Sequence, residues 1–249
     1  MARAAIPRRL IWRVATLSGA REETATARTL VFSVSSWPGH LPGQHLDVKL
    51  TAEDGYSAQR SYSIASAPDG TRLELTVQRI ADGEVSPYLT DVLQPGDRVE
   101  VRGPIGGWFV WRPDGPEGKA PLLLVAGGSG IVPLMAMIRA HEAARSPVPL
   151  RLIYSVRSPA DIIYASELSE LAVGRPLEVT YLYTREAPGG ARLGRIGADV
   201  LAEVAWPPEA RPAIFVCGPT GFVEAAAALL VDAGHDPATI KTERFGPTS

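Results

Sequence analysis

The strongest constraint on what this chain can fold into is a change of hydrophobic period across RPDGPEGKA, residues 112–120 of 249. Ahead of it, LIWRVATL, TARTLVFSV, QHLDVKL, RSYSIAS, RLELTVQRI and DRVEVRG alternate apolar with polar residues, and Pro-Gly or Asp-Gly pairs at 38–39, 42–43, 54–55, 69–70 and 95–96 separate them. Strands with one wet face need that alternation and such pairs reverse the chain, so the spacing predicts an antiparallel barrel with one helical interruption at SPYLTDVL. Beyond it, LLLVAGG, LRLIYSV, LEVTYLYT, AIFVCG and IKTERF are mostly continuous apolar runs, as strands covered on both faces require. Helical patterns lie between them around 131–144, 164–173, 197–204 and 219–233, the last entered at Pro219 and stopped at Gly234. The expected fold is α+β with two domains, an antiparallel β-barrel over 1–113 and an α/β parallel-sheet nucleotide-binding domain over 114–249.

Charge narrows the function classes. The chain carries 25 basic and 27 acidic side chains, split 13 against 13 up to residue 115 and 12 against 14 after it. Neither half has the basic excess of a nucleic-acid or membrane-surface binder. A single cysteine, Cys217, excludes an internal disulfide and any iron–sulfur cluster held by several protein thiolates. Pro7 and Arg13 interrupt the start before an apolar core forms, so no secretory signal is expected. No run approaches the ~18 apolar residues of a membrane span, and a cytoplasmic monomer is the expectation.

AGGSGIVP, residues 126–133, follows a strand and opens a helix, so Gly127, Gly128, Ser129 and Gly130 sit where backbone N–H groups favour an anionic phosphate. Pro133 stands where the ordinary dinucleotide fingerprint has its third glycine, and the stretch alone is equally compatible with a plain strand-to-helix turn. A hydrolase elbow fails because Ile131 breaks G-x-S-x-G after Ser129. His40, His45, His141 and His235 with Cys217 offer no metal-ligand spacing, so no metal is expected. CGPTGF, residues 217–222, ends the fourth strand of the second half; ligands of open parallel sheets lie beyond the carboxyl ends of the strands, so Cys217 and Gly218 should face the crevice of Gly127 to Gly130. A free thiol there is more often a small core residue.

RSYSIAS, residues 60–66, sets Arg60, Tyr62 and Ile64 on one face and Ser61, Ser63 and Ala65 on the other. As structure it is a barrel strand with Tyr62 half-buried and Arg60 snorkelling. As a site it offers a cation for phosphate, an aromatic plane for a ring system and a hydroxyl. A flavin nucleotide needs those three contacts.

The motifs R-x-Y-S at Arg60, Tyr62 and Ser63, G-x-x-S from Gly83 to Ser86, GPIGG at 103–107, GGSGIVP at 127–133, CGP at 217–219 and ERF at 243–245 fall in one order along the chain. In that order, over about residues 10–247, the sequence resembles the ferredoxin–NADP reductase superfamily. The resemblance implies that the barrel binds FAD in preference to FMN. It also implies that hydride passes from NAD(P)H to FAD and electrons leave to a separate acceptor, a ferredoxin or a partner oxygenase. It places Arg60 on the flavin phosphate, Tyr62 against the isoalloxazine and Ser63 near the flavin nitrogen that receives hydride. Val77, Gln78 and Arg79 line the flavin, and Gly83, Val85 and Ser86 bind its pyrophosphate. Gly127 to Gly130 and Pro133 hold the nicotinamide dinucleotide's phosphates, Cys217 and Gly218 lie by its reactive carbon, and Glu243 and Phe245 face the flavin, with Ser63, Cys217 and Glu243 nearest the chemistry.

Three positions depart from the family pattern. Four residues follow Phe245, Val132 replaces a frequent Thr, and no adenine-stacking aromatic follows Arg79. In YSVRSPADIIY, Ser155 and Arg157 match the relatives that select the 2′-phosphate, with Arg185 as a second contact and Asp161 opposing; NADP is expected over NAD. A stand-alone NAD(P)H:flavin or quinone reductase and, from a different class, a non-catalytic dinucleotide-binding module stay open as alternatives.

Overall fold

The computed structural model describes residues 10–70, 72–173 and 177–246. Six strands, β1 (Trp12–Thr24), β2 (Ala27–Val34), β3 (His45–Thr51), β4 (Ser57–Ser63), β5 (Arg72–Gln78) and β6 (Arg98–Ile105), form one antiparallel sheet in the order β4-β3-β6-β1-β2-β5. A bridge from Ile64 to Leu75 joins the two edge strands and curls the sheet into a barrel. Alternate residues fill it, including Leu46 and Val48 of β3, Leu73, Leu75 and Val77 of β5, and Val99 and Val101 of β6. The helical interruption is a single π-type turn, Tyr88–Val92, with Leu89 buried on the barrel.

Five parallel strands, β7 (Leu122–Gly127), β8 (Leu150–Val156), β9 (Leu177–Tyr183), β10 (Ala213–Pro219) and β11 (Ile240–Phe245), follow in the order β11-β10-β7-β8-β9. Helices α1 (Ile131–Ala143), α2 (Ala165–Ala172), α3 (Ala198–Val204) and α4 (Thr220–Asp232) lie where the 3.6-residue periods predict them. The continuous apolar runs have the expected cause. On β7, Leu122, Leu124 and Ala126 enter a core shared with α1 and α2, whereas Leu123 and Val125 enter a second core with α3 and α4.

The first of those cores also takes Ala27, Ala65 and Phe109 from the barrel. The RSYSIAS alternation is therefore real, and it sends Ile64 into the barrel core and Ala65 into the seam between the domains. A polar clamp closes one end of that seam. Glu74 of β5 accepts from Arg21 at 3.2 Å, Arg72 at 2.7 Å and Arg139 of α1 at 3.0 Å. Arg139 donates in addition to both oxygens of Glu167 and to the Ala65 carbonyl. Burial works against its charge, but the Glu167 hydrogen bonds and the surrounding acidic groups outweigh it and hold the guanidinium ionised.

Beside the clamp, three buried hydroxyls form a closed chain. Thr29 donates to Glu23 at 2.6 Å, so its oxygen must accept from Thr76 at 2.7 Å, and Thr76 in turn accepts from Tyr164 at 2.5 Å. Tyr164 returns to the start, its backbone N–H donating to the other Glu23 oxygen at 3.1 Å. That bond steadies a residue with a left-handed backbone, φ +64°, at the entrance of α2.

Candidate active site

At the other end of the seam, the start of β3 of the barrel and the carboxyl ends of β10 and β11 approach each other through His45. Register pairs His45 with Ser63 across β3 and β4, while Glu243 lies beside Cys217 across β10 and β11. His45 Nδ1 stands 3.5 Å from Glu243 Oε1, an ion-pair contact when the imidazole is protonated. The second carboxylate oxygen, Glu243 Oε2, is buried and finds no hydrogen-bond partner among the described residues. Such a group costs free energy unless something outside the chain satisfies it, which makes it a pointer to a ligand. His45 was not foreseen as a site residue. Its only local signal is Gly-Gln-His at the start of a strand, since its partner comes from the last strand of the other domain.

The flavin-side residues fall on two surfaces. Tyr62 packs half-buried on the barrel core, and burial pushes its phenol up to about 12. The intervening Ser61 turns the other way and donates to Asp47 at 2.7 Å, where Arg102 also donates at 2.6 Å. Burial alone would raise the Asp47 carboxyl, but those two donors more than offset it and hold it low. Arg60 is exposed at the barrel edge, its guanidinium 3.3 Å from Glu84. Val77 is spent in the core, so on edge strand β5 its backbone alone is left to meet a ligand. Gln78 is half-buried, and Arg79 is exposed and ion-paired to Asp91 at 2.7 Å. In the loop after β5, Gly83 N–H donates to the Ile80 carbonyl and Ser86 Oγ accepts from Ile80 N–H at 3.1 Å, with Val85 buried between them. The accepted bond leaves the Ser86 proton to donate.

The glycines of the nucleotide side have distinct reasons. A Cβ at Gly130 would collide with the Cys217 carbonyl, and one at Gly127 or Gly218 would press on the Phe222 ring at 2.7 and 2.8 Å. Those three let the β7 and β10 turns touch. Gly128, at φ +54° with open space around it, is the one free to meet a ligand, next to the half-buried Ser129. Pro133 is buried in the first turn of α1, where its missing N–H breaks no helical bond. Ser155, one residue before the end of β8, lies level with Gly127, and the Arg157 carbonyl accepts from the N–H groups of Arg185 and Glu186 at 2.9 and 3.1 Å. Both exposed arginines are thus brought together, while Asp161 is engaged by the Ser158 hydroxyl at 2.7 Å. Cys217 is fully buried, and burial, reinforced by the Glu243 charge, holds its thiol protonated. It belongs to the seam core, against which Phe245 also packs.

With this geometry in hand, comparison with known families decides the class. Residues 14–110 match the oxidoreductase FAD-binding domain and residues 124–228 the oxidoreductase NAD-binding domain. The chain belongs to the FAD- and NAD-binding oxidoreductases. This oxidoreductase is 34% identical over 212 residues to the glycine betaine monooxygenase reductase subunit of Chromohalobacter salexigens, covering 83% of the chain and 56% of that relative. It spans just over half the length of the curated relatives it matches first. Among solved structures it is similar to the FAD/NAD-binding domain of a Vibrio cholerae nitric oxide dioxygenase, with a TM-score of 0.84 and 26% identity over 94% of this chain and 99% of that one. A ferredoxin NADP+ reductase from Neisseria gonorrhoeae shares the fold with a TM-score of 0.80 at 21% identity, covering 94% of this chain and 98% of that one. Among the described residues no helix is long and apolar enough to cross a membrane.

Proposed function

We propose that this oxidoreductase is the flavin-bearing reductase of an electron-transfer pair, taking hydride from NADPH onto FAD and passing electrons to a separate acceptor, an oxygenase component or a ferredoxin. The observation that carries this reading is Glu243 at the meeting of the two domains, level with Cys217, with Oε1 3.5 Å from His45 Nδ1 and a buried Oε2 that finds no hydrogen-bond partner among the described residues. FAD, when bound, supplies both the acceptance of hydride and the release of single electrons. The protein's share is positioning and electrostatics. Arg60 and the Gly83 to Ser86 loop take the flavin phosphates, and Tyr62 backs the ring. Ser63, opposite His45, offers a hydroxyl at the reacting edge. Gly128 and Ser129 present backbone N–H groups at the start of the 13-residue α1, a position that favours phosphate. The paired Arg157 and Arg185 suit the 2′-phosphate of NADPH, since a guanidinium binds phosphate with two parallel hydrogen bonds. The neutral Cys217 thiol fills space beside the nicotinamide without acting as a nucleophile.

The class and the acceptor separate in one experiment. The visible spectrum of the purified chain is followed during anaerobic titration with NADPH and, separately, NADH, and then with added ferredoxin and cytochrome c. Flavin bands that bleach with one equivalent of NADPH at concentrations where NADH lags are the expected result. A protein that is colourless and takes up no FAD defeats the reading. Equal response to both nucleotides defeats the NADP preference alone, and cytochrome c reduction that ignores added ferredoxin defeats the protein acceptor.

A further inference from the structure

Arg60 has a rival for the phosphate. The phenol of Tyr56, at the tip of the β3–β4 hairpin, donates to Glu84 Oε1 at 2.6 Å, and Arg60 Nη2 donates to Glu84 Oε2 at 3.3 Å. Both carboxylate oxygens are thereby drawn from the loop after β5 across to β4. Arg60 Nη1 meanwhile donates to the Gln59 carbonyl at 2.7 Å, which fixes the guanidinium's other arm. Glu84 precedes two residues that turn inward, Val85 into the barrel core and Ser86 onto the Ile80 N–H. Glu84 alone of the three points outward, with its side chain 49% exposed against 56% for Arg60. A cleft of about 460 Å³ opens beside the pair, lined by Tyr56, Glu84 and Tyr88 over an apolar floor of Leu50, Ala58 and Val99.

An anion arriving at Arg60 must displace a carboxylate that already holds the guanidinium, and then lie close to that carboxylate's negative charge. We propose that Glu84 is a built-in competitor for Arg60 that sets how tightly the flavin phosphate is held, so that this site binds its flavin exchangeably. The inference rests on the reading that Arg60 takes the flavin phosphate. Tyr56 steadies the competitor in place. The carboxylate raises the Tyr56 phenol in turn, by accepting its hydrogen bond and by its charge.

The test uses the full chain stripped of flavin and titrated with FAD, FMN and riboflavin, read by quenching of flavin fluorescence, with FAD release timed by dilution. Glu84→Gln keeps the shape and the bond to Tyr56 but removes the charge. It should bind FAD and FMN about three- to fivefold more tightly, the range of an exposed charge pair, and release FAD correspondingly more slowly. Riboflavin, which has no phosphate, should bind unchanged. In an Arg60→Ala background the gain from Glu84→Gln should fall to less than half. FAD affinity equal to or below that of the unaltered chain overturns the proposal, as does an equal gain for riboflavin or an undiminished gain without Arg60. Failure of the underlying reading looks different: Arg60→Ala would then bind FAD as tightly as the unaltered chain. Glu84 is exposed, and an unchanged unfolding midpoint for Glu84→Gln shows that the fold is intact.

Discussion

The two ends of the domain seam are built from the same residue types and solve opposite problems. At the clamp, Glu74, Arg139 and Glu167 satisfy one another, and the Glu23–Thr29–Thr76–Tyr164 chain closes on itself, the Thr29 and Thr76 hydroxyls each donating once and accepting once and Tyr164 donating from both its hydroxyl and its backbone N–H. At the His45 end, the charge contact to Glu243 is 3.5 Å long, both side chains are about a quarter exposed, and one carboxylate oxygen has no partner among the described residues. A self-satisfied network rigidifies. An unsatisfied one leaves an acceptor open, and the clamp fixes the domain geometry elsewhere.

If the clamp carries the structure, the largest losses of stability come from there. Arg139→Met strips Glu167 and the Ala65 carbonyl of their donor and should cost about 3 kcal/mol in denaturant unfolding, at the lower end for a broken buried pair because Arg21 and Arg72 still reach Glu74. A loss under about 1 kcal/mol would place this pair with surface ion pairs and dissolve the contrast. Tyr164→Phe is gentler. It leaves Thr76 without one donor while keeping the ring and the backbone bond to Glu23, and should cost about 1–2 kcal/mol. Should it cost nothing, the hydroxyl chain is incidental and the stability of the clamp rests on Arg139.

The sequence reveals what is local and hides what is long-range. Strands and helices are legible because the 2-residue and 3.6-residue periods are written in neighbouring positions; each of the eleven strands among the described residues coincides with or overlaps a predicted run. Boundaries shift where tertiary pairing intervenes. β1 runs on to Thr24 because β2 continues to pair with it past a bulge, and β4 stops at Ser63 where Ile64 crosses to Leu75. The clamp was illegible, since Glu23 and Tyr164 lie 141 positions apart and Glu74 and Arg139 lie 65 apart, and nothing near either residue marks it. Among the site residues, the turn glycines were legible as a group, but only the fold separates Gly128, open to a ligand, from Gly127, Gly130 and Gly218, which packing requires. His45 was missed for the reason the clamp was: its partner is on the last strand.

The smallest stability effect is the sharpest test of the contrast. Glu243→Gln keeps the side-chain volume and removes the charge. The buried oxygen without a partner is a cost that the neutral amide reduces, whereas the contact to His45, at 3.5 Å between partly exposed groups, contributes little. The two terms nearly cancel, so the unfolding free energy should change by no more than about 0.5 kcal/mol in either direction. On the proposed function, which sets Glu243 beside the reacting atoms, the rate of NADPH-driven flavin bleaching should nevertheless fall about tenfold or more, because a charge fixed there acts without reorganisation and its loss is felt in the transition state. A Glu243→Gln protein that loses as much stability as Tyr164→Phe while bleaching at the original rate would make this end of the seam a second clamp. A protein of unchanged stability and slowed bleaching keeps the two ends distinct, one holding the domains and the other working between them.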